Sequence, residues 1–337
     1  MPWGGILPMK GKKIICVCLL CAIIGLTGCS KATANKEQPV KQETTQTPKA
    51  KVQLPEKLSL NSDGVPMLRV WQVDEEMLSD MDIETYLEGV LAGEMKNDWP
   101  MEALKAQAIL ARTFVLKFCS EKESKYPRAD ISTDIEEAQA YDATGVNDRI
   151  KKAVKETRGQ VLVSDGELPY AWFHAHSGGM TALAREGLAY EDAEPDYTHV
   201  VKGLDSDQAP AEAKAWEAAF TFDEIMAAAK DVGIVITEVT DVELGDTGAS
   251  GRAETIVISG KNVPAAPFRI SLGSTKMRST LISSLKIEEG KVKMAGKGYG
   301  HGVGMPQWGA YAMAKDGKKA ADIVTYYFRN VTVEKIW

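Results

Sequence analysis

The chain reads IETYLEGVLAGEMKNDWPMEALKAQAILARTFV at positions 83–115, and this stretch predicts two consecutive helices. The first helix carries an apolar stripe at helical spacing, formed by Ile83, Leu87, Val90 and Leu91. Asp82, just before it, is a residue type that caps helix starts. Trp99-Pro100 then interrupts the pattern, and proline is favoured where a helix opens. The second helix therefore begins near Pro100 and continues through Val115.

Beyond this pair of helices, the pattern favours an α+β fold with mixed helices and a largely antiparallel sheet. Strands are predicted at 68–73, 160–163, 170–174 and 331–336, and helices at 148–157, 308–315 and 320–328. The Ala-rich stretch 211–229 predicts a helix, and the β-rich segments that follow it are 234–244, 254–259 and 268–271. We therefore expect a domain over 63–337 with a smaller α/β subdomain inserted at about 203–275 and a cleft between the two.

The N-terminus has the order of a secretory signal: three lysines precede an apolar run at 14–24. A membrane-spanning helix needs about 20 apolar residues, so this shorter run does not predict a permanent span. Leu26-Thr27-Gly28-Cys29 resembles the lipobox of bacterial lipoproteins, in which the cysteine is lipidated. We expect a signal peptide at 1–28, a flexible linker at 29–62, and a lipid anchor at Cys29 on the extracytoplasmic face of the cell membrane. The alternatives are an ordinary signal peptide or a buried helix.

Charge and cysteine content narrow the possible partners. A formal net charge of -7 gives no basic footprint for nucleic acid. After the lipobox only Cys119 remains, so that region can form neither an internal disulfide nor a Cys-rich zinc site. We expect no metal and no other cofactor.

Glu94 is the residue that most directly suggests chemistry. It lies 11 positions after Ile83, which places it within about 20° of the apolar stripe at about 100° per residue. Partial burial there would raise the pKa of the carboxyl and let it hold a proton at neutral pH, as a general acid must. The alternative is a glutamate at the helix end that turns to solvent.

Two cations lie on the second helix. Lys105 and Arg112 are seven residues apart and share one face with alanine neighbours, where they can donate hydrogen bonds to a sugar or carboxylate in a groove. The alternative is a solvated helix edge.

The segment at 297–305 has glycine at every second position from 298 to 304. Such a loop lets the backbone approach a ligand and presents Tyr299 and His301 to it. A flexible surface loop without a ligand is the alternative. The spacing of phosphate-binding glycine loops is missing from this segment.

The segment 171–179 (AWFHAHSGG) ends a predicted strand in a polar turn. His174 and His176 would share one strand face, so a metal site is conceivable, but no third ligand is evident. A nucleophilic Ser177 paired with a histidine is also conceivable, but neither a spaced acid nor a Gly-x-Ser-x-Gly elbow supports it.

Three ordered motifs resemble the stage II sporulation protein D family, which includes the amidase-enhancer proteins. They are Tyr86 to Thr113, Phe173 to Gly179, and Gly298 to Ala310. The resemblance implies a lytic transglycosylase that prefers peptide-stripped peptidoglycan strands, with Glu94 as the catalytic residue. It also implies that the cleft is lined or supported by Lys105, Arg112, His174, Ser177, Tyr299, His301 and Gln307. Some family members bind zinc through cysteines near the second motif, and this chain lacks those cysteines.

A single carboxylate suits this chemistry, because the C6 hydroxyl of the substrate serves as nucleophile and leaves a 1,6-anhydro-muramyl end. Hydrolytic glycosidases generally need two carboxylates. The implied partners are peptidoglycan glycan strands and a peptidoglycan amidase, in cell-wall remodelling such as sporulation. The main alternative is a non-catalytic module that binds denuded glycan and enhances the amidase; a structural lipoprotein of an engulfment or division complex is another.

Overall fold

The computed structural model describes residues 52–337, so the predicted signal peptide, Cys29 and most of the predicted linker lie outside the described residues. The first half contains, in chain order, β1 Met67–Gln72, β2 Met77–Asp82, α1 Ile83–Glu94, α2 Met101–Glu121, β3 Ile131–Ser132, α3 Asp148–Glu156, β4 Gln160–Val163, β5 Phe173–His174 and α4 Ala184–Leu188. The second half contains α5 Ala211–Lys214, β6 Ala215–Thr221, α6 Phe222–Asp231, β7 Val242–Leu244, β8 Thr255–Ile258, β9 Lys261–Pro264, α7 Ala265–Ser271, β10 Ile282–Glu288, β11 Lys291–Lys297, β12 Met305–Pro306, α8 Gln307–Lys315, α9 Ala320–Tyr327 and β13 Thr332–Lys335.

The two helices predicted at 83–115 are confirmed. The side chain of Asp82 accepts a hydrogen bond from the Thr85 N–H at 3.0 Å, which caps α1. Pro100 directly precedes α2. The second helix packs against α1, α3, α8 and α9. Its buried apolar side chains lie in the larger of two hydrophobic cores, which we call the first core and which also contains Leu87 of α1 and Ile323 of α9. This central position explains why α2 is apolar over so much of its circumference.

The strands form small sheets that are mostly antiparallel, which confirms the α+β class. One sheet has the order β2-β1-β3, two others have the orders β10-β11-β6 and β7-β8-β9, and two-stranded pairs join β13 to β4 and β12 to β5. The β1–β3 and β12–β5 pairs are parallel. The last of these brings the residues before α8 beside the strand that ends at His174.

A second hydrophobic core is built from residues between Trp216 and Met294, separate from the first. Trp216 and Phe220 from β6 are buried in it together with Val292 and Met294 from β11. The boundaries of the insertion expected at about 203–275 stay a prediction, but this core extends past residue 275 through β10 and β11.

Two element assignments were wrong. The stretch 211–229 is interrupted by strand β6, in which alternate side chains are buried and the backbone pairs with β11. Alanine's helix propensity is a weak preference that this tertiary pairing overrides. Residues 268–271 belong to helix α7 and not to a strand. The strand expected at 170–174 is limited to Phe173–His174.

Residues 52–62, which we assigned to the linker, pack against the domain. Val52 and Leu58 are buried in the first core, and Leu60 forms a bridge with Pro66.

Over residues 52–337, the structure contains no helix with the length and apolar character needed to cross a bilayer.

Candidate active site

Glu94 is the last residue of α1, and only 3% of it is exposed. Its Oε1 accepts a hydrogen bond from the Ala140 N–H at 2.8 Å. Gln307, the first residue of α8, donates from Nε2 to Glu94 Oε2 at 3.3 Å and to the main-chain oxygen of Glu94 at 3.2 Å. Three segments distant in sequence therefore fix this carboxyl group, and its predicted burial is confirmed.

Burial raises the pKa of Glu94 to about 7, although the hydrogen bonds from Ala140 and Gln307 act in the opposite direction. Among the described residues, no cation lies within ion-pair distance of this carboxylate. The Ala140 N–H and the Gln307 amide N–H can both only donate, so both carboxyl oxygens are acceptors towards the protein and neither contact selects the oxygen that carries the proton. A carboxyl group of this kind can both give and take a proton near neutral pH.

A pocket of about 440 Å³ lies near the C-terminal end of α1; its lining includes Lys96, Trp99, Ala175, Arg278, Tyr299 and Trp308. Lys96 follows Glu94 by two residues, and Trp308 follows Gln307 directly. The Trp99 and Trp308 rings lie 4.5 Å apart between centroids. Aromatic side chains combined with a few charged groups are typical of a site for a polar ligand with apolar faces, such as a sugar.

A more open groove of about 610 Å³ lies on the β10-β11-β6 sheet and is less suited to chemistry. Two of its charged residues, Lys293 and Glu288, form an ion pair at 2.8 Å. Glu94 itself does not line the Trp99–Trp308 pocket, but Lys96 and Trp308, the near neighbours of Glu94 and of its partner Gln307, do, so we treat this pocket as the candidate site.

Tyr299 contributes to the wall of this pocket and is 7% exposed. The Arg278 guanidinium lies 5.1 Å from the centre of its ring. Burial raises the pKa of the Tyr299 hydroxyl, and the charges of Arg278 and Arg269 oppose that rise. The Tyr299 and His176 backbones exchange hydrogen bonds at 3.0 and 2.8 Å, which joins the third motif to the second.

His301 of the glycine loop and His174 of β5 form a buried pair, with ring centres 5.6 Å apart. His174 Nδ1 lies 3.1 Å from the Val303 carbonyl oxygen, and His301 Nδ1 accepts from the Val303 N–H at 3.1 Å. Burial lowers both pKa values, to about 3 for His301, so both rings are neutral at physiological pH. They hold the loop in place, and neither contributes to the pocket wall described above.

Ser177 is fully buried in the turn after β5. Its hydroxyl donates to the carboxylate of Asp205, its N–H donates to the same group at 3.1 Å, and its oxygen accepts from the Gly179 N–H at 2.9 Å. His176 Nδ1 accepts instead from the Gly178 N–H at 3.0 Å. A histidine therefore does not activate Ser177, which contradicts the Ser/His alternative.

In residues 52–337, no cluster of three or more His, Cys, Asp or Glu side chains could hold a metal ion.

The structure does not bring Lys105 or Arg112 to the pocket beside Glu94. Arg112 is fully buried; it pairs with Glu84 at 2.5 Å and donates to the Gln160 carbonyl at 3.0 Å. Lys105 pairs with Glu102 at 3.1 Å and with Glu156 at 2.6 Å. The cationic face expected on α2 is therefore not available to a ligand in this form. Arg112 is in a buried ion pair, and Lys105 is in ion pairs that are partly exposed.

Sequence reasoning missed several parts of this site. The sequence pattern indicated that Trp99 lies at a break between helices and that Trp308 begins a helix, but it did not indicate that the two rings line one pocket. Arg278 carried no sequence signal, because its position depends on the packing of the second core against the glycine loop. The Ala140 N–H is a backbone group, so no pattern of side chains could have revealed it.

Comparisons with known proteins agree with the motifs. The family model described as "Stage II sporulation protein" matches residues 73–163. An uncharacterized protein of Brachyspira hyodysenteriae is 31% identical over 261 residues, which cover 76% of this chain and 68% of that protein. Stage II sporulation protein D of Bacillus subtilis is 28% identical over 286 residues, covering 79% of this chain and 78% of the relative. The amidase enhancer of Bacillus subtilis is 27% identical over 291 residues, covering 73% of this chain and 40% of the enhancer.

Proposed function

Because this chain belongs to the stage II sporulation protein D family, we propose that it cleaves peptidoglycan glycan strands as a lytic transglycosylase, with a preference for peptide-stripped strands. The observation that supports this most is Glu94 itself: a buried carboxyl group with a pKa of about 7 and two fixed hydrogen bonds. A surface glutamate would be fully ionised at neutral pH and could not serve as an acid.

In the proposed reaction, Glu94 acts twice. The protonated carboxyl group gives its proton to the glycosidic oxygen as the bond from C1 to that oxygen breaks. The resulting carboxylate then takes the proton of the C6 hydroxyl, whose oxygen bonds to C1 and closes the 1,6-anhydro ring. No water is consumed and Glu94 ends protonated, so one carboxyl group suffices.

The proposed roles of the other candidate site residues follow from where the structure places them. Tyr299, with Trp99 and Trp308, would contact the sugar. Gln307 would hold Glu94, while His174, Ser177 and His301 would keep the two motif loops in place. Lys105 and Arg112 would support the helix that faces α1, since their charges are already paired.

A non-catalytic role as an amidase enhancer is the second candidate, and one observation favours it. Glu94 is only 3% exposed, and protein donors contact both carboxylate oxygens. A sugar must displace one of these donors, or approach beside it, before the Glu94 carboxyl group can reach a glycosidic oxygen. One of the relatives is itself named an amidase enhancer.

The two candidates are separated by incubating the purified full chain with peptide-free glycan strands and looking for 1,6-anhydro-muramyl ends by mass spectrometry. The wild type should produce them, and Glu94→Gln should reduce the rate by about 10² to 10⁴, the usual cost of losing a general acid/base. Glu88→Gln, on the same helix, is the matched control. Strand binding without new ends in the wild type would leave the enhancer as the better description.

We also propose a site of action outside the cytoplasm, with a lipid anchor at Cys29, glycan strands as ligand and a peptidoglycan amidase as partner. The secretory pattern at 10–29 and the membership of the family support this placement.

A further inference from the structure

Two glycines of α1, Gly89 and Gly93, lie four residues apart and therefore share one face of the helix. Inside a helix, glycine is less favourable than alanine by about 1 kcal/mol at each position. Neither residue has a positive φ, so neither is needed for a left-handed backbone. What the two glycines provide is space on that face of the helix.

The space beside Gly93 is filled by the main chain of Ala140 and Tyr141. A Cβ atom at position 93 would lie 2.7 Å from the carbonyl carbon of Ala140 and 2.7 Å from the nitrogen of Tyr141, closer than real Cβ atoms come to a neighbour. A Cβ atom at position 89 would overlap the ring of Tyr141. The chain after residue 139 therefore runs directly over the bare face of α1.

This segment is fastened to the first helix region at two points. The Asp142 N–H donates to the Gly89 carbonyl at 2.9 Å. Asn97, just beyond the end of α1, donates from Nδ2 to the Gly145 carbonyl at 2.9 Å. The segment therefore lies against α1 in a fixed position.

The close approach at Gly93 brings in the N–H that contacts the proposed acid/base group. The Ala140 N–H donates to Glu94 Oε1 at 2.8 Å, and Glu94 directly follows Gly93. An ordinary van der Waals contact begins at 3.4 Å, so a Cβ at position 93 would push the Ala140 main chain away by roughly 0.7 Å. A displacement of that size would lengthen the bond to Glu94 to the limit of hydrogen-bonding distance.

From this geometry we infer that Gly93 is a positioning residue for Glu94: its missing side chain lets the main chain of Ala140 come close enough to hold one oxygen of the Glu94 carboxyl group. Gln307 contacts the other oxygen, so the group is held from both sides. The importance of this orientation for acid/base chemistry rests on the proposed function; the orientation itself does not.

The first test is Gly93→Ala in the full chain, with NMR titration of the ¹³C-labelled Glu94 carboxyl. Loss of the Ala140 hydrogen bond, which stabilises the carboxylate, should raise the Glu94 pKa from about 7 by roughly one unit. Ala92→Gly, at the neighbouring position, changes helix propensity without adding an atom, so it should leave the midpoint unchanged. An unchanged midpoint in folded Gly93→Ala, or an equal shift in Ala92→Gly, would overturn the inference.

A second variant removes the same hydrogen bond without a steric change. Ala140→lactic acid, introduced by nonsense suppression, replaces the backbone N–H with an ester oxygen and should also raise the Glu94 pKa. It keeps the inference testable if Gly93→Ala does not fold. Combined with Gly93→Ala it should give no further shift, because both changes remove one hydrogen bond. An ester protein that titrates as the wild type does, or two shifts that add, would count against Gly93 as the positioning residue.

Cleavage of peptide-free strands is the readout that rests on the proposed function. Gly93→Ala should cleave about 10- to 100-fold more slowly because Glu94 is misplaced, with strand affinity within about twofold of the wild type. Its pH–rate profile should move to higher pH with the Glu94 pKa. An unchanged rate would show that the orientation of Glu94 is not needed for cleavage. If the wild type cleaves nothing but the midpoint shifts, the positioning stands and only the transglycosylase proposal fails.

Discussion

Gln307 holds Glu94 at two points: its Nε2 lies 3.2 Å from the main-chain oxygen of Glu94 and 3.3 Å from its Oε2. The second bond stabilises the carboxylate and so lowers the Glu94 pKa, whereas burial, which has the larger effect, raises it. Gln307→Met should therefore raise this pKa further, by roughly half a unit to one unit. Titration of ¹³C-labelled glutamate carboxyls by NMR, with the resonance assigned by its loss in Glu94→Gln, measures the shift. Gln208→Met, an exposed glutamine, is the control, and an unchanged midpoint in Gln307→Met would contradict the relationship.

The raised pKa of Glu94 predicts a pH-dependent cost to stability. The folded state holds the proton up to about pH 7, whereas the unfolded chain releases it near 4.5, so the free energy of unfolding falls as pH rises between these values. Glu94→Gln cannot ionise and should escape this loss. Its advantage over the wild type should grow from pH 4.5 to 7 and then level off, at about 3 kcal/mol. Urea unfolding across this range measures the difference in the free energy of unfolding between Glu94→Gln and the wild type, and Glu238→Gln, at an exposed position, is the control. The same difference at every pH would refute the prediction.

Arg112 should matter for folding more than for binding. Arg112→Met leaves Glu84 partly buried without its cation, and such losses cost about 3–5 kcal/mol. Glu84→Gln combined with Arg112→Met should recover part of this loss, and Lys105→Met should lose less because its ion pairs are partly exposed. Thermal unfolding tests the stabilities. If Arg112 contacts substrate instead, Arg112→Met will raise KM for glycan strands strongly at temperatures where the variant is fully folded.

Membrane attachment should depend on Cys29. Cys29→Ala removes the residue that the lipobox-like sequence would lipidate, so the protein should appear in the soluble fraction or keep its signal peptide. Fractionation with a mass measurement of the mature N-terminus distinguishes these outcomes, and Cys119→Ala is the matched control. Processing and membrane association equal to those of the wild type would disprove the lipoprotein assignment.

Periodicity predicted the parts of the fold that depend on local sequence. The Asp82 cap, the stripe from Ile83 and the break at Pro100 fixed α1 and α2 correctly, and the same stripe predicted the burial of Glu94. Strand β6 could not be predicted in this way, because its pairing with β11 involves residues some 76 positions further along the chain.

The charged residues show the limit of reasoning from one helix at a time. Helical spacing placed Lys105 and Arg112 on one face, but the burial of Arg112 follows from Glu84 on the neighbouring helix. Arg269 lies in a segment predicted to be a strand but belongs to helix α7, so its burial had no sequence signal. Such cations acquire a role only from the elements that pack around them.

The hydrogen bonds between Glu94 and Gln307 span 213 residues of sequence, which has a consequence for the order of events during folding. Until α8 has docked, the Glu94 carboxyl lacks the amide that contacts it and its main-chain oxygen. Docking of α8 delivers both the Gln307 amide and the Trp308 wall of the pocket. A chain released early, or trapped with its C-terminal third unfolded, would carry Glu94 without the Gln307 amide and without the Trp308 side of the pocket. A chain whose α8 has not docked therefore carries an incomplete site, even when α1 and α2 are already formed.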